Sequence, residues 1–305
     1  MNLIALLIGL AIERLATQIF HWRRMRWMDK IIDAGFARTA SYPKLPAIAA
    51  VALQSVLLAL PVLIVILLLG DSLLGFPYLF LAIVVLFFSL GPNDIGEDIG
   101  RYCAALEEED EERLGQTVRT LVEFEPPPSV IERIHCVEEA VFIQANNRLF
   151  AVIFWFVALG PFGPLGAWLY RVTDLIRRRA VFSAGRATDD STNIVALRDA
   201  AVVLHGWLAW IPARLTAIGY GVAGHLDAAL AAWRTPADAD ASGPKASEDL
   251  LARVGVASLA LPEYDGESIS ARGVRGATAA NQLVFRLLTI WAVVIAAMTL
   301  YGWSM

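Results

Sequence analysis

Cysteine is nearly absent. Cys103 and Cys136 are the only two in 305 residues, and with no C-x-x-C pair the chain has neither a disulfide framework nor a thiolate metal site. Charge is scarce as well: Asp, Glu, Lys and Arg supply 18% of the residues and hydrophobic side chains 57%, against about 25% and roughly 45–50% in soluble domains. With a mean hydropathy of +0.56, the composition excludes collagen-like and disordered classes and points to a membrane protein. The sequence also lacks G-x-x-x-x-G-K-[ST], H-E-x-x-H and G-x-S-x-G, which argues against a P-loop ATP site, a zincin and a serine hydrolase. One G-x-G-x-x-G match, GYGVAG at 219–224, follows an apolar helical stretch instead of a strand. It reads as small residues that let helices approach closely, not as a dinucleotide fingerprint. The histidines at 21, 135, 205 and 225 share no ligand spacing, so no metal site is expected.

What is present is a set of long uncharged runs. Residues 45–70 form one of 26, residues 72–93 one of 22, residues 149–170 another of 22, and residues 287–305 one of 19. A hydrocarbon core about 30 Å thick takes roughly 20 helical residues, because only a helix satisfies its own backbone there. The first two runs, parted by Asp71 alone, predict a transmembrane hairpin over 45–93, and the last predicts a C-terminal span. Residues 1–44 read as an apolar and then basic helical segment, with Glu13 and Arg14 near its apolar end. The fold class is therefore all-α, a multi-pass helical membrane protein.

Lysine and arginine set the orientation. Residues 1–44 carry seven, the hairpin tip none, residues 94–148 five and residues 171–199 six. By the positive-inside rule 1–44 and 94–148 are cytoplasmic. A single crossing at 149–170 would then put Arg171, Arg177, Arg178 and Arg179 outside. The breakers Gly160, Pro161, Gly163 and Pro164 in GPFGP offer a way out, so a re-entrant or broken helix is expected at 149–170. Irregular backbone at that depth must be buried in protein or line a cavity. Residues 200–226, with Trp207, Trp210, Pro212 and Arg214, read as an interfacial helix with Pro212 as a second structural turn. The region 227–286 reads as cytoplasmic, with polar linkers at 235–249 and 262–276. Net charge divides sharply: +4 over 1–44 and −10 over 94–147. Within the acidic part, 101–124 reads as one helix with EEEDEE on its solvated face, the triple proline at 126–128 ends it, and a second helix from 130 leads into the membrane.

Ionisable groups at membrane boundaries are costly and tend to pair or serve a site. Glu13, Arg14, Glu139, Asn146, Asn147, Arg148, Arg171, Asp174 and Arg214 are the candidate ligand-binding residues, and the broken helix is expected to bring them to one cytoplasmic-facing layer. Arginines beside carboxylates suit a phosphate or carboxylate ligand. Structural ion pairs and snorkelling anchors are the alternative reading.

These residues also carry a resemblance. The segments NNRLFAVIFWFVALGPFGPLGAWLYR and LHGWLAWIPARLTAIGYGVAGH, the N-terminal IERL and the terminal TLYGWS resemble AmpE, a family of inner-membrane proteins named as modulators of β-lactamase induction. AmpE in turn resembles the CobD/CbiB synthases of cobalamin biosynthesis, which form an amide with ATP. Glu139, Ala151 to Phe154, the Gly-Pro turn, Tyr170-Arg171 and Ile211 to Thr216 are the shared pieces. Departures are many: the synthase's E-T-V-A-E-N is EAVFIQ at 139–144, its N-T-x-D after Tyr-Arg is reduced to Asp174, and its paired aspartates before P-A-R are His205 and Gly206. The resemblance implies a regulatory protein of the bacterial inner membrane. It would be linked to cell-wall status, and its partners would be the lipid bilayer and either the amidase AmpD or a cell-wall-derived or phosphorylated small molecule. No nucleic-acid partner is expected. Nucleotide and Mg²⁺ enter by resemblance to the synthase alone. A diverged amide-forming synthase is the competing class, and a transporter with a broken helix a third.

Overall fold

A computed structural model describes residues 25–40, 46–69, 75–90, 95–122, 126–186, 192–236 and 245–301, and among these every regular element is helical. In chain order they are α1 (Arg26–Ala40), α2 (Ala47–Leu69), α3 (Phe76–Ser89), α4 (Ile95–Glu107), α5 (Glu111–Val122), α6 (Val130–Ala145), α7 (Ala151–Ala158), α8 (Gly163–Arg186), α9 (Thr192–Ala223), α10 (Leu226–Arg234), α11 (Lys245–Leu259) and α12 (Ile269–Leu300). A π-helical turn, Asn146–Phe150, joins α6 to α7, and a 3-10 turn, Gly160–Phe162, joins α7 to α8. Four stretches are long and apolar enough to cross a membrane: Ala47–Leu69, Val130–Ala158, Asn193–Ala223 and Ile269–Thr299. The protein is a multi-pass helical membrane protein.

The chain forms two compact units. One comprises residues 1–92, 151–210 and 295–305, the other 93–150 and 211–294. In the first, α8 packs on α2, α3 and α7, around Met28, Ile32, Val51, Val172, Ile176, Leu197 and Ala201. The helix does break at GPFGP. Gly160 takes a φ of +54°, open to glycine without steric cost, and a Cβ on Gly163 would run into the Phe156 carbonyl. Within this unit α7 and α8 therefore fold back on each other.

Prolines inside α2 and α9 create a second requirement. Pro212 has no N–H, so the Leu208 carbonyl loses its helical donor. The Trp155 indole of α7 donates to that oxygen at 3.0 Å. Pro61 disturbs α2 in the same way, and Trp168 Nε1 donates to the neighbouring Leu58 carbonyl at 3.0 Å.

In the second unit α11 packs on α6 and α10, and α5 on α4 and α6. Tyr102, Leu106, Val118, Val141, Phe142, Phe150, Tyr220, Val254, Ala277 and Leu287 belong to its core. GYGVAG is a packing device here. A Cβ on Gly219 would strike Leu287, one on Gly221 would crowd Ala229, and one on Gly224 would strike the Ser258 carbonyl, which accepts the His225 N–H at 2.9 Å.

Several boundaries differ from the sequence reading. The acidic stretch is two helices: Glu109 has a φ of +53°, and Asp110 Oδ1 accepts the Arg113 N–H at 3.0 Å, an N-cap that starts α5. The polar loop expected over 262–276 ends at Ser268, because small and helix-forming residues carry α12 from Ile269. Residues 200–223 are not a separate short element but part of the 32-residue α9, which passes through Pro212 without a turn. The Trp155 bond explains how it can. The second hairpin arm holds a 14-residue helix, α3, with Pro77 in its first turn. At 1.5 Å per residue this is about 21 Å, short of a straight crossing.

Replacing Trp155 with Phe leaves the Leu208 carbonyl without its indole donor. We expect a loss of about 1–3 kcal/mol in stability, read by thermal unfolding of the detergent-purified protein. In a Pro212→Ala background, where residue 212 regains its N–H, most of that loss should vanish; an equal loss in both backgrounds would show that the bond carries no weight.

Candidate functional site

The candidate residues fall into two sets, one in each unit; Glu13 and Arg14 lie outside the described residues. In the first unit, helical spacing places Arg171, Arg177 and Arg178 three or four residues from Asp174, so all converge on its carboxylate. Arg171 Nη1 lies 3.0 Å from Oδ2, Arg178 Nε 2.9 Å from Oδ2, and Arg177 Nη2 3.0 Å from Oδ1. His205 of α9 brings Nε2 to 3.7 Å from Oδ1, and its ring lies against Tyr170 at 5.3 Å. Asp174 is wholly buried. Burial alone would raise its pKa, but Arg178, Arg177, His205 and Arg171 outweigh it and hold the carboxyl well below the usual range. A further pair, Arg179 Nε to Asp33 Oδ1 at 2.7 Å, ties α8 to α1.

In the second unit the π-turn carries Asn146, Asn147 and Arg148, all buried. Such turns loosen the regular helical ladder and recur at functional positions. Arg148 reaches Asp98 Oδ2 and Gln144 Oε1, each at 2.9 Å. Arg101 holds the other Asp98 oxygen at 2.6 Å, and Gln144 donates to the Leu121 carbonyl at 3.2 Å. Asn146 donates to Asn147 at 3.2 Å and accepts from Thr216 at 3.1 Å. Tyr220 donates to the Phe142 carbonyl at 2.9 Å, beside the turn. Half-buried Arg214 makes a long contact of 3.5 Å with Ser247 at the start of α11. Glu139 is exposed, whereas its neighbour Glu138 is buried and paired with Arg272.

Sequence reasoning named Arg171 and Asp174 but not the role of Arg177 and Arg178, although the i+3 and i+4 spacing announces it. Asp98, Gln144 and Thr216 were missed. Asp98 is fifty positions from its partner Arg148, and no local pattern links them.

Chemically, both sets centre on buried arginines paired with carboxylates and amides. Around Asp174 the residues do not fit Mg²⁺: both carboxylate oxygens are held by guanidinium groups whose positive charge would repel a cation. Among the described residues no group of three or more His, Cys, Asp or Glu side chains could hold a metal ion.

The sequence model of the family described as regulatory signalling modulator protein AmpE matches residues 1–305. The chain belongs to the AmpE family. It is also 28% identical over 217 residues to a protein of Stutzerimonas stutzeri named cobalamin biosynthesis protein CobD, an overlap of 69% of this chain and 68% of that one. No solved structure matches. Within this AmpE-family chain, Tyr170-Arg171 and the Pro212-Ala-Arg214 stretch thus sit on helices whose polar groups are engaged with other parts of the same chain.

Replacing Asp174 with Asn removes the counter-charge of three guanidinium groups, and we expect a loss of about 3–5 kcal/mol in stability. The depressed carboxyl predicts a matching pH dependence. Its contribution is complete above the unfolded-state value of about 3.9 and is lost as pH falls from there toward the lower folded value. Unfolding temperatures recorded from pH 7 downward should therefore drop more steeply for the parent protein than for Asp174→Asn.

Proposed function

We propose that this chain is a regulatory protein of the bacterial inner membrane that binds an anionic ligand or partner at its cytoplasmic face and relays cell-wall status to β-lactamase induction. The match to the AmpE family over residues 1–305 carries this reading. The site chemistry favours binding over catalysis, because Asp174 is committed to guanidinium groups and the chain has His205 and Gly206 where the synthase resemblance calls for carboxylates. Arg171 and Arg148 are enclosed and hold the fold. Half-buried Arg214, with Ser247 beside it, is the arginine proposed to meet the anion. That anion is a phosphorylated or cell-wall-derived small molecule, with the amidase AmpD as the partner that the family resemblance implies.

Deleting the gene in a bacterium with an inducible β-lactamase should change the induced enzyme level. The parent gene should restore it, and Arg214→Ala should not, at equal abundance in the membrane. Unchanged induction on deletion overturns the reading. The CobD likeness over 217 residues favours a second one, a diverged amide-forming synthase. We expect no rescue of cobalamin production in a strain lacking that synthase, and rescue would put catalysis first.

The cytoplasmic placement has its own test. Gly185, near the end of α8, is exposed with open space around it. In a background with Cys103 and Cys136 replaced by Ser, Gly185→Cys should react with a membrane-impermeant maleimide in inverted vesicles and stay unlabelled in intact spheroplasts. The opposite pattern would make 149–170 part of a complete crossing.

A further inference from the structure

Helix α12 changes character along its length. Residues 283–300 hold a single charge, Arg286, in 18 positions, about 27 Å of helix and close to one hydrocarbon thickness. Residues 269–282 carry Arg272, Arg275, Asn281 and Gln282, a composition that belongs outside the bilayer. Against this polar part lies a groove of about 740 Å³ whose lining includes Glu107 at the end of α4, Glu267 and Ser268 before α12, and Arg275, Thr278 and Gln282 along it. That volume is in the range of small-molecule sites.

The groove already shows how a carboxylate binds in it. Arg275 donates from Nε to Glu267 Oε1 at 2.8 Å and from Nη2 to Oε2 at 2.5 Å, the two-pronged geometry that guanidinium groups use for carboxylates. The Tyr264 ring covers the guanidinium carbon at 4.7 Å. Both Glu267 and Tyr264 come from one short loop. It turns through Gly266 at φ +80° and closes with the Glu267 N–H on the Tyr264 carbonyl at 3.2 Å. Tyr264 is 59% exposed, so little besides the ion pair and the ring contact holds the loop down. Glu107, on the other wall, is exposed and has no ion-pair partner among the described residues.

We infer that this groove binds a short peptide or other small zwitterion, whose carboxylate replaces Glu267 on Arg275 while its ammonium group pairs with Glu107. Thr278, Gln282 and Ser268 supply hydroxyl and amide partners for the polar backbone between the two ends. Glu267 is then an internal competitor, and its release frees the loop. The site shares no residue with the Arg214 reading and stands or falls separately from it.

The test uses the full-length protein in phosphatidylcholine nanodiscs, titrated calorimetrically with tetra-alanine, its C-terminal amide and its N-acetyl form. Glu267→Ala removes a partly buried competing pair and should tighten tetra-alanine binding about fivefold. Each capped peptide should bind about tenfold more weakly than the free one, Arg275→Gln should abolish the preference for a free carboxylate, and Glu107→Gln the preference for a free amine. No binding to either the parent or Glu267→Ala overturns the inference, as does equal binding of free and capped peptides. The capped peptides need no variant, so they decide the matter even if Arg275→Gln fails to fold.

Discussion

Away from water, a polar group must find its partner inside the protein, and much of this structure follows from that constraint. The Leu208 carbonyl, stripped of its donor by Pro212, takes a hydrogen bond from the Trp155 indole, and Trp168 serves the turn before Pro61. An unsatisfied carbonyl in hydrocarbon costs several kcal/mol. Trp155 and Trp168 therefore work as side-chain donors to helix backbones. They also set how α7 meets α9 and how α8 meets α2, because an indole can reach a carbonyl from only one register.

The same constraint explains the arginines. Asp174 draws Arg171, Arg177 and Arg178 onto one carboxylate, and Asp98 does so with Arg148 and Arg101. A guanidinium with five donors is hard to satisfy with one acceptor, which is why Gln144 joins Arg148 and in turn holds the Leu121 carbonyl. Such networks are costly to break and contribute little net stability over an apolar core. Their value lies in fixing one register, with the π-turn at Asn146–Phe150 held by Thr216 on one side and Asp98 on another.

The sequence announced this fold where charge is missing and concealed it where charge is dense. Uncharged gaps of 19 or more residues found α2 and the C-terminal part of α12, and GPFGP marked the break between α7 and α8. The acidic run EEEDEE looked like a solvated helix face, yet Glu109 turns there and Asp110 caps the next helix. A capping aspartate within a run of carboxylates gives no distinct signal. The start of α12 was hidden because GVRGATAAN is polar and glycine-containing, while its glycines serve close contacts: a Cβ on Gly273 would press on Ile134 and Leu106. For the site, i+3 and i+4 spacing made the Asp174 cluster legible. The distant partners of Arg148 and Asn146, Asp98 and Thr216, come from α4 and α9, and one sequence holds no record of such pairings.

In this AmpE-family chain the two most deeply buried aspartates of the described residues are committed to ion pairs. Phosphoryl chemistry needs carboxylates facing outward to hold a cation and neutralise the transferring group. Here Asp174 and Asp98 face inward onto guanidinium groups, and His205 joins the same cluster. Paired in this way, the buried charges are balanced and both carboxylates are withdrawn from any cation. The charge that solvent still reaches in the second unit includes half-buried Arg214 and the Glu107 and Arg275 side chains of the groove.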